Sequence, residues 1–203
     1  MKSLVTTGRG DSGQTHTLDG DTIYKDHPIM EALGVLDSMK THIALLRVQL
    51  QEQRPEARQE IDFLLFLLHT CFLIGSVVSG LHNRKPNYHP VRLNASHLER
   101  LEEEQARLES GLQLPRAFIV CASNTLAAQA DVTVSAVRTF ERRFVALRKE
   151  SPGLTNSLYS AFINRLSDYF YILARYLDQN RYQVVDYSMV RTEVAPEVNP
   201  PSD

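Results

Sequence analysis

The chain of 203 residues contains no tryptophan and only two cysteines, and its charges nearly cancel at a net charge of −2. Cys71 and Cys121 do not form a spaced disulfide framework, and both lie in apolar segments of helical character. This pattern predicts a reducing, cytoplasmic compartment. Because the charge balance gives no general basic field, we expect no nucleic-acid partner.

Long uninterrupted apolar runs are also missing. The most apolar stretch, residues 63–78, is broken by polar and small residues and bounded by Asp62, so it falls short of the ~18 apolar residues of a membrane-spanning helix. It predicts a buried bundle helix instead. The N-terminus has Lys2 but no apolar segment typical of a secretory signal. We therefore expect no membrane partner.

Helical spacing of apolar residues dominates the rest of the chain, and 43% of all residues are hydrophobic, which is enough for a substantial core. The fixed φ of Pro28 suits the start of a first helix. Ser96 and Glu99 have the spacing of a capping box and predict the start of a third helix. The expected helices run from Pro28 to the polar segment 52–58, through the apolar stretch to about Leu81, from Ser96 to Leu108, over 124–149 and from Leu154 to Tyr176.

Five helices with short links predict an all-α fold, an up-down bundle over residues 28–178. Residues 1–27 are expected to form a loop, and residues 82–93, which contain two prolines, a second loop. Residues 179–203 form a C-terminal tail. After Val194 this tail is rich in proline and glutamate, which predicts disorder there.

The first 25 residues have a density of glycine, hydroxyl and charged side chains that cannot pack a core but can wrap around a polyanion. Glycine allows positive φ, so consecutive backbone N–H groups can turn toward one point. The hydroxyls add donors, and Arg9 and Lys25 add positive charge. A flexible tail is the alternative interpretation. The residues concerned are Thr7, Gly8, Arg9, Gly10, Asp11, Ser12, Gly13, Thr15 and Lys25.

The glycines of this loop also match the spacing of a dinucleotide-binding fingerprint. That fingerprint requires a strand before it and a helix after it within a βαβ unit. Only seven residues precede Gly8 and no βαβ pattern follows, so the sequence does not favour a Rossmann fold.

Two arginines on the expected fourth helix form a second candidate site. Arg138 and Arg142 are four residues apart and share one helix face, with Arg143 adjacent. Two guanidinium groups on one face can bind phosphate oxygens in a bidentate manner. The alternative is a solvated basic face that pairs with nearby acidic residues.

A third candidate is the polar segment 164–168 within the apolar pattern of the fifth helix. A buried Asn164 has to find hydrogen-bond partners or incur a desolvation cost of roughly 1–3 kcal/mol. We therefore expect either a ligand or an interhelical network at this position.

The sequence lacks the usual signatures of metal and nucleophile chemistry. The seven histidines show neither an HExxH pattern nor Cys/His ligand spacing, so we expect no protein-held metal site. There is no pattern of a Ser-His-Asp triad or an activated cysteine. Cys121 fits a small core or pocket residue better than a nucleophile.

Taken together, these segments resemble the PduO-type corrinoid adenosyltransferases, which transfer an adenosyl group from ATP to cob(I)alamin. The likeness covers about residues 5–175, and the order and spacing of its motifs agree with the family pattern. The motifs lie at Thr7–Thr15, Lys25-Asp26, Glu31–Asp37, Val137–Arg143 and Asn164–Asp168.

The resemblance implies a five-helix, ferritin-like bundle that forms a homotrimer with active sites between neighbouring subunits. An inter-subunit pair then maps to Asp37 and Arg138, and a phenylalanine that touches the corrinoid maps to Phe118. Lys25 and Arg142 are the implied catalytic residues. The implied ATP-binding residues are Thr7, Gly8, Arg9, Gly10, Asp11, Gly13, Thr15, Lys25, Arg138, Arg142, Arg143 and Asn164.

The implied chemistry needs no protein nucleophile, because cob(I)alamin itself attacks the 5′ carbon of ATP and triphosphate leaves. The protein has to align the reactants and stabilise the leaving anion, which Lys25, Arg142, Mg²⁺ and the loop amides can do. Phe118 fits the task of displacing the lower axial base of the corrinoid. A reductase and an adenosylcobalamin-dependent mutase are further candidate partners.

Two alternatives stay open. The family has Glu and Arg where this chain has Val145 and Ala146, and a Pro-Gly-Gly turn where it has residues 121–123. These differences favour a non-catalytic relative that binds a nucleotide or corrinoid as a chaperone or sensor. The other alternative is a plain helical interaction protein with a mobile N-terminal tail.

Overall fold

The structure is a computed structural model that describes residues 5–6, 8–81, 91–151, 154 and 156–190. These residues form five helices, and the predicted all-α bundle is confirmed. Four short strands and a 3₁₀ turn at Tyr187–Val190 are added to it. The helices are α1 (Pro28–Gln53), α2 (Arg58–Ser79), α3 (Ala95–Glu109), α4 (Thr125–Glu150) and α5 (Ser157–Asp178), and the strands are β1 (Gln14–His16), β2 (Thr22–Tyr24), β3 (Ile119–Cys121) and β4 (Gln183–Val184).

Successive helices run in opposite directions, as an up-down bundle requires. The ion pair between Arg143 and Glu31 joins the last part of α4 to the first turn of α1, and Thr125 at the start of α4 bonds Gln53 at the end of α1. We call the end with the starts of α1, α3 and α5 the hairpin end. The other end, with the starts of α2 and α4, is the opposite end.

Helix α4 is the central element, because it packs against both α1 and α5, while α2 lies on α1 and α3 on α5. The inward face of α1 shows why these segments are helical, since its buried residues recur every three or four positions. Each leucine, isoleucine or methionine among them contributes about 1.5–3 kcal/mol when fully buried. They are Ala32, Leu36, Met39, Ile43, Leu46 and Leu50.

Two helix starts test the capping predictions. Helix α1 begins at Pro28 as expected, and His27 caps it by accepting a hydrogen bond from the amide of Ile29 at 3.2 Å. The prediction for α3 was wrong by two residues. Asn94, not Ser96, is its N-cap, and the Asn94 amide donates to Nδ1 of His97 at 3.3 Å. Asn94 has an extended backbone, whereas Ser96 already lies in the first turn.

The expectation of a loop over residues 1–27 was also wrong for part of the segment. β1 and β2 form an antiparallel hairpin in which Thr15 lies opposite Ile23. β-branched residues favour strands, and Gly20 supplies the positive φ of 90° at the turn. The Leu18 amide donates to Oγ of Ser79 at 3.0 Å, so the hairpin is attached to the end of α2.

The C-terminal tail likewise contains more structure than expected. After α5, Gln179 and Asn180 adopt left-handed conformations that turn the chain back, and β4 pairs with β3 in antiparallel fashion. Cys121 therefore lies in a strand, not in a helical segment as predicted. The proline-rich segment after Val194 lies outside the described residues, as does 82–90 of the second predicted loop.

Within the described part of the chain, α2 is the one helix long and apolar enough to cross a membrane by composition. Half of its most apolar window is buried inside the bundle. Its inward residues include Leu64, Leu67, Ile74 and Val78, all almost fully enclosed. This agrees with the prediction that the apolar stretch forms a buried bundle helix.

Burial in α2 also makes the Cys71 thiol unreactive. Desolvation raises the pKa of Cys71 to about 12, against a weaker lowering effect of Lys40. At pH 8 the thiolate fraction is then on the order of one in ten thousand. We expect Cys71 to resist maleimide modification at pH 8 in the native protein and to react fully in guanidinium, as measured by peptide mass spectrometry. Rapid native labelling at Cys71 would contradict this packing.

Candidate functional site

Three groups of predicted residues can be located, and the first is the glycine-rich loop before the hairpin. Gly8 and Gly13 have φ values of 71° and 79°, which side chains rarely adopt. Two consecutive turns result, since the Asp11 amide bonds the Gly8 carbonyl and the Gly13 amide bonds the Gly10 carbonyl, each at 3.2 Å. Arg9 and Asp11 are exposed and Thr15 is half-buried in β1, while Thr7 lies outside the described residues.

Lys25 folds back over this loop. Its amide donates to the Gly13 carbonyl at 2.9 Å, and a Cβ added to Gly10 would lie only 2.8 Å from the Lys25 ammonium nitrogen. Gly10 is therefore the position that lets the ammonium group lie against the loop backbone. The structure thus brings together the loop and the lysine, which the sequence placed more than ten residues apart.

The second group lies on the hairpin-side half of α4 and α5. Arg142 is exposed and donates to Oγ1 of Thr139 at 3.1 Å. Asn164 donates from its side-chain amide to Glu141 at 3.3 Å. Asn164 is exposed, so the expectation that it is buried was wrong. The periodicity of α5 turns this position outward, where its amide reaches α4.

Arg143 has a different neighbour from Arg142, although the two are adjacent in sequence. Its Nε lies 3.2 Å from the carboxylate of Glu31, in the first turn of α1. Consecutive residues of a helix point about 100° apart, so Arg143 faces α1 while Arg142 does not. Both partners of this pair are about half exposed.

The third group surrounds a cleft of about 350 Å³ between β3 and the outer side of α4 and α5. Phe118 forms one wall and is 78% exposed, which is unusual for a phenylalanine. Arg138 on α4 lines the same cleft, with Asp131 two turns before it. Since Arg142 follows Arg138 by one turn, about 6 Å along the axis, the second and third groups are continuous along α4.

Charges within this cleft are divided between two arginines. Arg175 is almost fully buried, donates to the carboxylate of Asp131 and lies over the Tyr171 ring at 5.3 Å. Burial raises the pKa of Asp131, and Arg175 opposes this shift. Asp131 is thus paired with Arg175, and Arg138 makes no hydrogen bond or ion pair with any described residue.

The predicted partner of Arg138, Asp37, is engaged elsewhere in the protomer. Its carboxylate bonds the Lys40 ammonium group at 2.7 Å, and its side chain is 69% exposed. Asp37 and Arg138 therefore do not pair with each other within one protomer. An Asp37–Arg138 pair between neighbouring subunits stays a prediction.

Comparison with known proteins decides the family. The sequence model described as cobalamin adenosyltransferase matches residues 5–177. The chain belongs to this family. A cobalamin adenosyltransferase from Cupriavidus metallidurans is 29% identical over 181 residues, which cover 87% of this chain and 89% of the relative. A corrinoid adenosyltransferase from Bacillus subtilis is 31% identical, with 83% of each chain covered.

Solved structures share the fold of this adenosyltransferase-family chain. A PduO-type ATP:corrinoid adenosyltransferase from Lactobacillus reuteri, complexed with cobalamin and ATP, superposes with a TM-score of 0.77 at 23% identity, covering 89% of this chain and 94% of that one. That structure carries a substituted phenylalanine. Another structure of the same enzyme, complexed with ATP, carries a substituted arginine twenty positions later.

The structure also shows residues that the sequence prediction missed. Glu141, Asp131 and Arg175 contact or line the site but were not candidates. A usable signal existed for two of them on α4, because Asp131, Arg138 and Glu141 recur at intervals of seven and three, which places them near one helix side. Arg175 gave no comparable signal, since its surroundings in α5 are apolar.

Gly10 allows a specific test of the loop. In Gly10→Ala, the new Cβ meets the end of a flexible lysine, so we expect the melting temperature to change by less than ~2 °C while Lys25 is displaced. The KM for ATP should rise by about tenfold, as expected when one charged contact is lost. Gly111→Ala is the control, because nothing lies within 4 Å of its added Cβ. An unchanged KM for ATP in Gly10→Ala would contradict the predicted contact between Lys25 and ATP.

Proposed function

We propose that the protein transfers the 5′-deoxyadenosyl group of ATP to cob(I)alamin, forming adenosylcobalamin and releasing triphosphate. The observation that carries this proposal is the Lys25 ammonium group lying on the glycine-rich loop of a chain in this family. The curated relatives are named cobalamin or corrinoid adenosyltransferases, which agrees with this activity.

In this proposal the loop and α4 bind the triphosphate. The turns at Gly8–Gly13 present backbone amides, and Lys25 and Arg142 supply charge where the leaving triphosphate gains it. Asn164, whose side-chain amide donates to Glu141, would bond the nucleotide. Bond formation between cobalt and the 5′ carbon accompanies breakage of the carbon–oxygen bond to the triphosphate, so alignment is the main task of the protein.

The corrinoid is proposed to lie against Phe118 and near Arg138. Both residues line one cleft, and their separation of twenty positions equals that of the phenylalanine and arginine substituted in the solved relatives. The exposed Phe118 ring offers an apolar surface that would exclude water and the lower axial base from the cobalt. Arg138, unpaired within the described protomer, remains available to the substrates or to a neighbouring subunit.

A homotrimer with sites between subunits is part of the proposal. The outward faces of α1 and α4 expose apolar side chains that a neighbouring subunit would cover. Asp37 and Arg138 lie on these same two helices, in agreement with an inter-subunit pair. The exposed residues are Leu45, Val48, Val132 and Val145.

Mg²⁺, a reducing compartment and helper proteins complete the proposed setting. Mg²⁺ would enter with ATP, with phosphate oxygens and water as its main ligands. Across the residues that the structure describes, no cluster of three or more His, Cys, Asp or Glu side chains could hold it. A cytoplasmic location, a reductase that supplies cob(I)alamin and a mutase that accepts the product fit this chemistry.

The activity is tested by mixing the protein with ATP, Mg²⁺ and chemically reduced cob(I)alamin and following the absorbance change of the cobalt–carbon bond. We expect turnover with the unaltered chain and its loss in Lys25→Ala. Binding of ATP or corrinoid without turnover would identify a chaperone or sensor instead. Failure to bind either would leave a helical interaction protein and overturn the proposal.

A further inference from the structure

A buried carboxylate at the opposite end of the bundle accepts hydrogen bonds from the turn between β3 and α4. Asp178, the last residue of α5, is fully buried. Its Oδ1 accepts hydrogen bonds from the Ser123 amide at 2.7 Å, from the Ser123 hydroxyl at 2.5 Å and from the Asn124 side chain at 3.3 Å. Its Oδ2 has no hydrogen-bond partner among the described residues. All hydrogen bonds that this carboxylate makes with described residues are therefore to the turn.

The start of α4 is fixed by the same contacts. Asn124 caps α4 by accepting from the Ala127 amide at 3.0 Å, and it donates to the Leu177 carbonyl at 3.1 Å. Arg54 from the end of α1 donates to that carbonyl as well, at 3.3 Å. The end of α5 therefore sets where α4, which carries Arg138, begins.

The Phe118 wall is held from the other side of the turn. β3 follows Phe118 directly, and the Phe118 carbonyl accepts a hydrogen bond from the Val185 amide at 2.8 Å. The Tyr182 hydroxyl donates to the Gln113 carbonyl at 2.6 Å, which attaches the chain before Phe118 to the chain after α5. Asp178 adds a third attachment beside these two, because it ends α5 and bonds Ser123 in the turn that follows β3.

We propose that Asp178, through Ser123, is a positioning residue that fixes the Phe118 wall relative to Arg138. This inference rests on the proposed function, in which Phe118 contacts the corrinoid. A carboxylate is suited to this task because it accepts from the amide and the hydroxyl of one residue at once, and such charge-assisted bonds are roughly twice as strong as neutral ones. Asp178 itself is buried and does not reach the cleft.

The test is a double-mutant cycle between this attachment and Phe118. Ser123→Ala and Asp178→Asn are each measured alone and combined with Phe118→Ala, with the KM values for ATP and corrinoid, kcat, and the Kd of ATP-loaded protein for cob(II)alamin as readouts. Asp62→Asn is the matched control, because Asp62 is an exposed carboxylate on α2. Ser123→Ala keeps the test informative if Asp178→Asn does not fold, because Ser123 is exposed and loses only its hydroxyl.

We expect the two variants to lower kcat/KM for the corrinoid by about tenfold, the scale of one charge-assisted hydrogen bond, with the KM for ATP changed by less than about twofold. In the Phe118→Ala background the same substitutions should have less than about a twofold effect, since they act through Phe118. Equal losses in both backgrounds, or an equal rise in the KM for ATP, would overturn the inference and leave the proposed function standing. An unaltered chain that neither binds corrinoid nor turns over would overturn both.

Discussion

Arg142→Ala should lower kcat for adenosyl transfer by about 100- to 1000-fold, the scale seen when a preorganised group that stabilises developing charge is removed. Arg142 is exposed on α4, and its described hydrogen bond is to the neutral hydroxyl of Thr139, so its charge is available to the triphosphate. The rate is measured from the absorbance change at saturating ATP and cob(I)alamin. The melting temperature should stay within ~2 °C, since the side chain is not packed in the core.

Lys149→Ala serves as the matched control, because Lys149 is an exposed cation in the last turn of the same helix. It removes one positive charge from α4 without touching the proposed site, and its kcat should remain within about twofold of the unaltered protein. Comparable losses in the two variants would mean that general charge, not the position of Arg142, determines the rate.

Arg107→Met should destabilise the bundle by about 3 kcal/mol or more, because it leaves two buried carboxylates without their counter-ion. Arg107 bonds Glu60 of α2 at 2.6 Å and Glu104 of α3 at 2.7 Å, and the two glutamate side chains are only 6% and 8% exposed. For a chain of this length the melting temperature should fall by roughly 6–12 °C. Thermal unfolding by circular dichroism at fixed protein concentration measures it.

Arg165→Met is the control for this experiment. Arg165 also bonds two carboxylates, Glu102 and Asp168, but all three side chains are about 40% exposed. Exposed pairs contribute about 0–1 kcal/mol, so its melting temperature should change by less than ~4 °C. Adding Glu60→Gln to Arg107→Met should recover part of the loss. If Arg107→Met and Arg165→Met are equally mild, the buried cluster does not stabilise the α2–α3 contact.

The number and order of the helices could be predicted because the spacing of apolar residues can be read from each segment alone. The face that carries these residues is the one that is buried in the bundle. The start at Pro28 was visible for the same reason, since Pro and the residue before it restrict their own backbone. The α3 start was misplaced because Ser96-Glu99 and Asn94-His97 both have capping spacing. A tertiary contact favours the Asn94-His97 pair, because the rings of His97 and Phe66 stack with their centroids 5.9 Å apart.

The strands were not predictable in the same way. β1 and β2 have three residues each, too few for a period-two pattern to stand out. β4 has two residues and forms only because β3 lies beside the end of α5. Such pairings depend on where the helices place the chain segments that follow them. The residues near Gln183 do not indicate that β3 will lie beside them.

The candidate site shows a similar division. The glycine loop and Lys25 were recognisable because their residue types are unusual. By contrast, which of Arg142 and Arg143 pairs with an acidic residue depends on the position of α1, whose Glu31 engages Arg143. The exposure of Asn164 follows from the rotation of α5 about its axis. A rotation error of one residue is enough to exchange a buried for an exposed position, and sequence spacing alone tolerates that error.

The attachment of the β1–β2 hairpin has a consequence for local stability. The hairpin is joined to the bundle at its turn by the Leu18–Ser79 hydrogen bond, with Thr17 and Asp19 buried beside it, while most of β1 and β2 is exposed or half-buried. Such a segment can open as its own cooperative unit, at a lower free energy than the five helices. A nucleotide that binds the loop would then slow amide hydrogen exchange mainly from Gly8 to Lys25, and much less in the five helices.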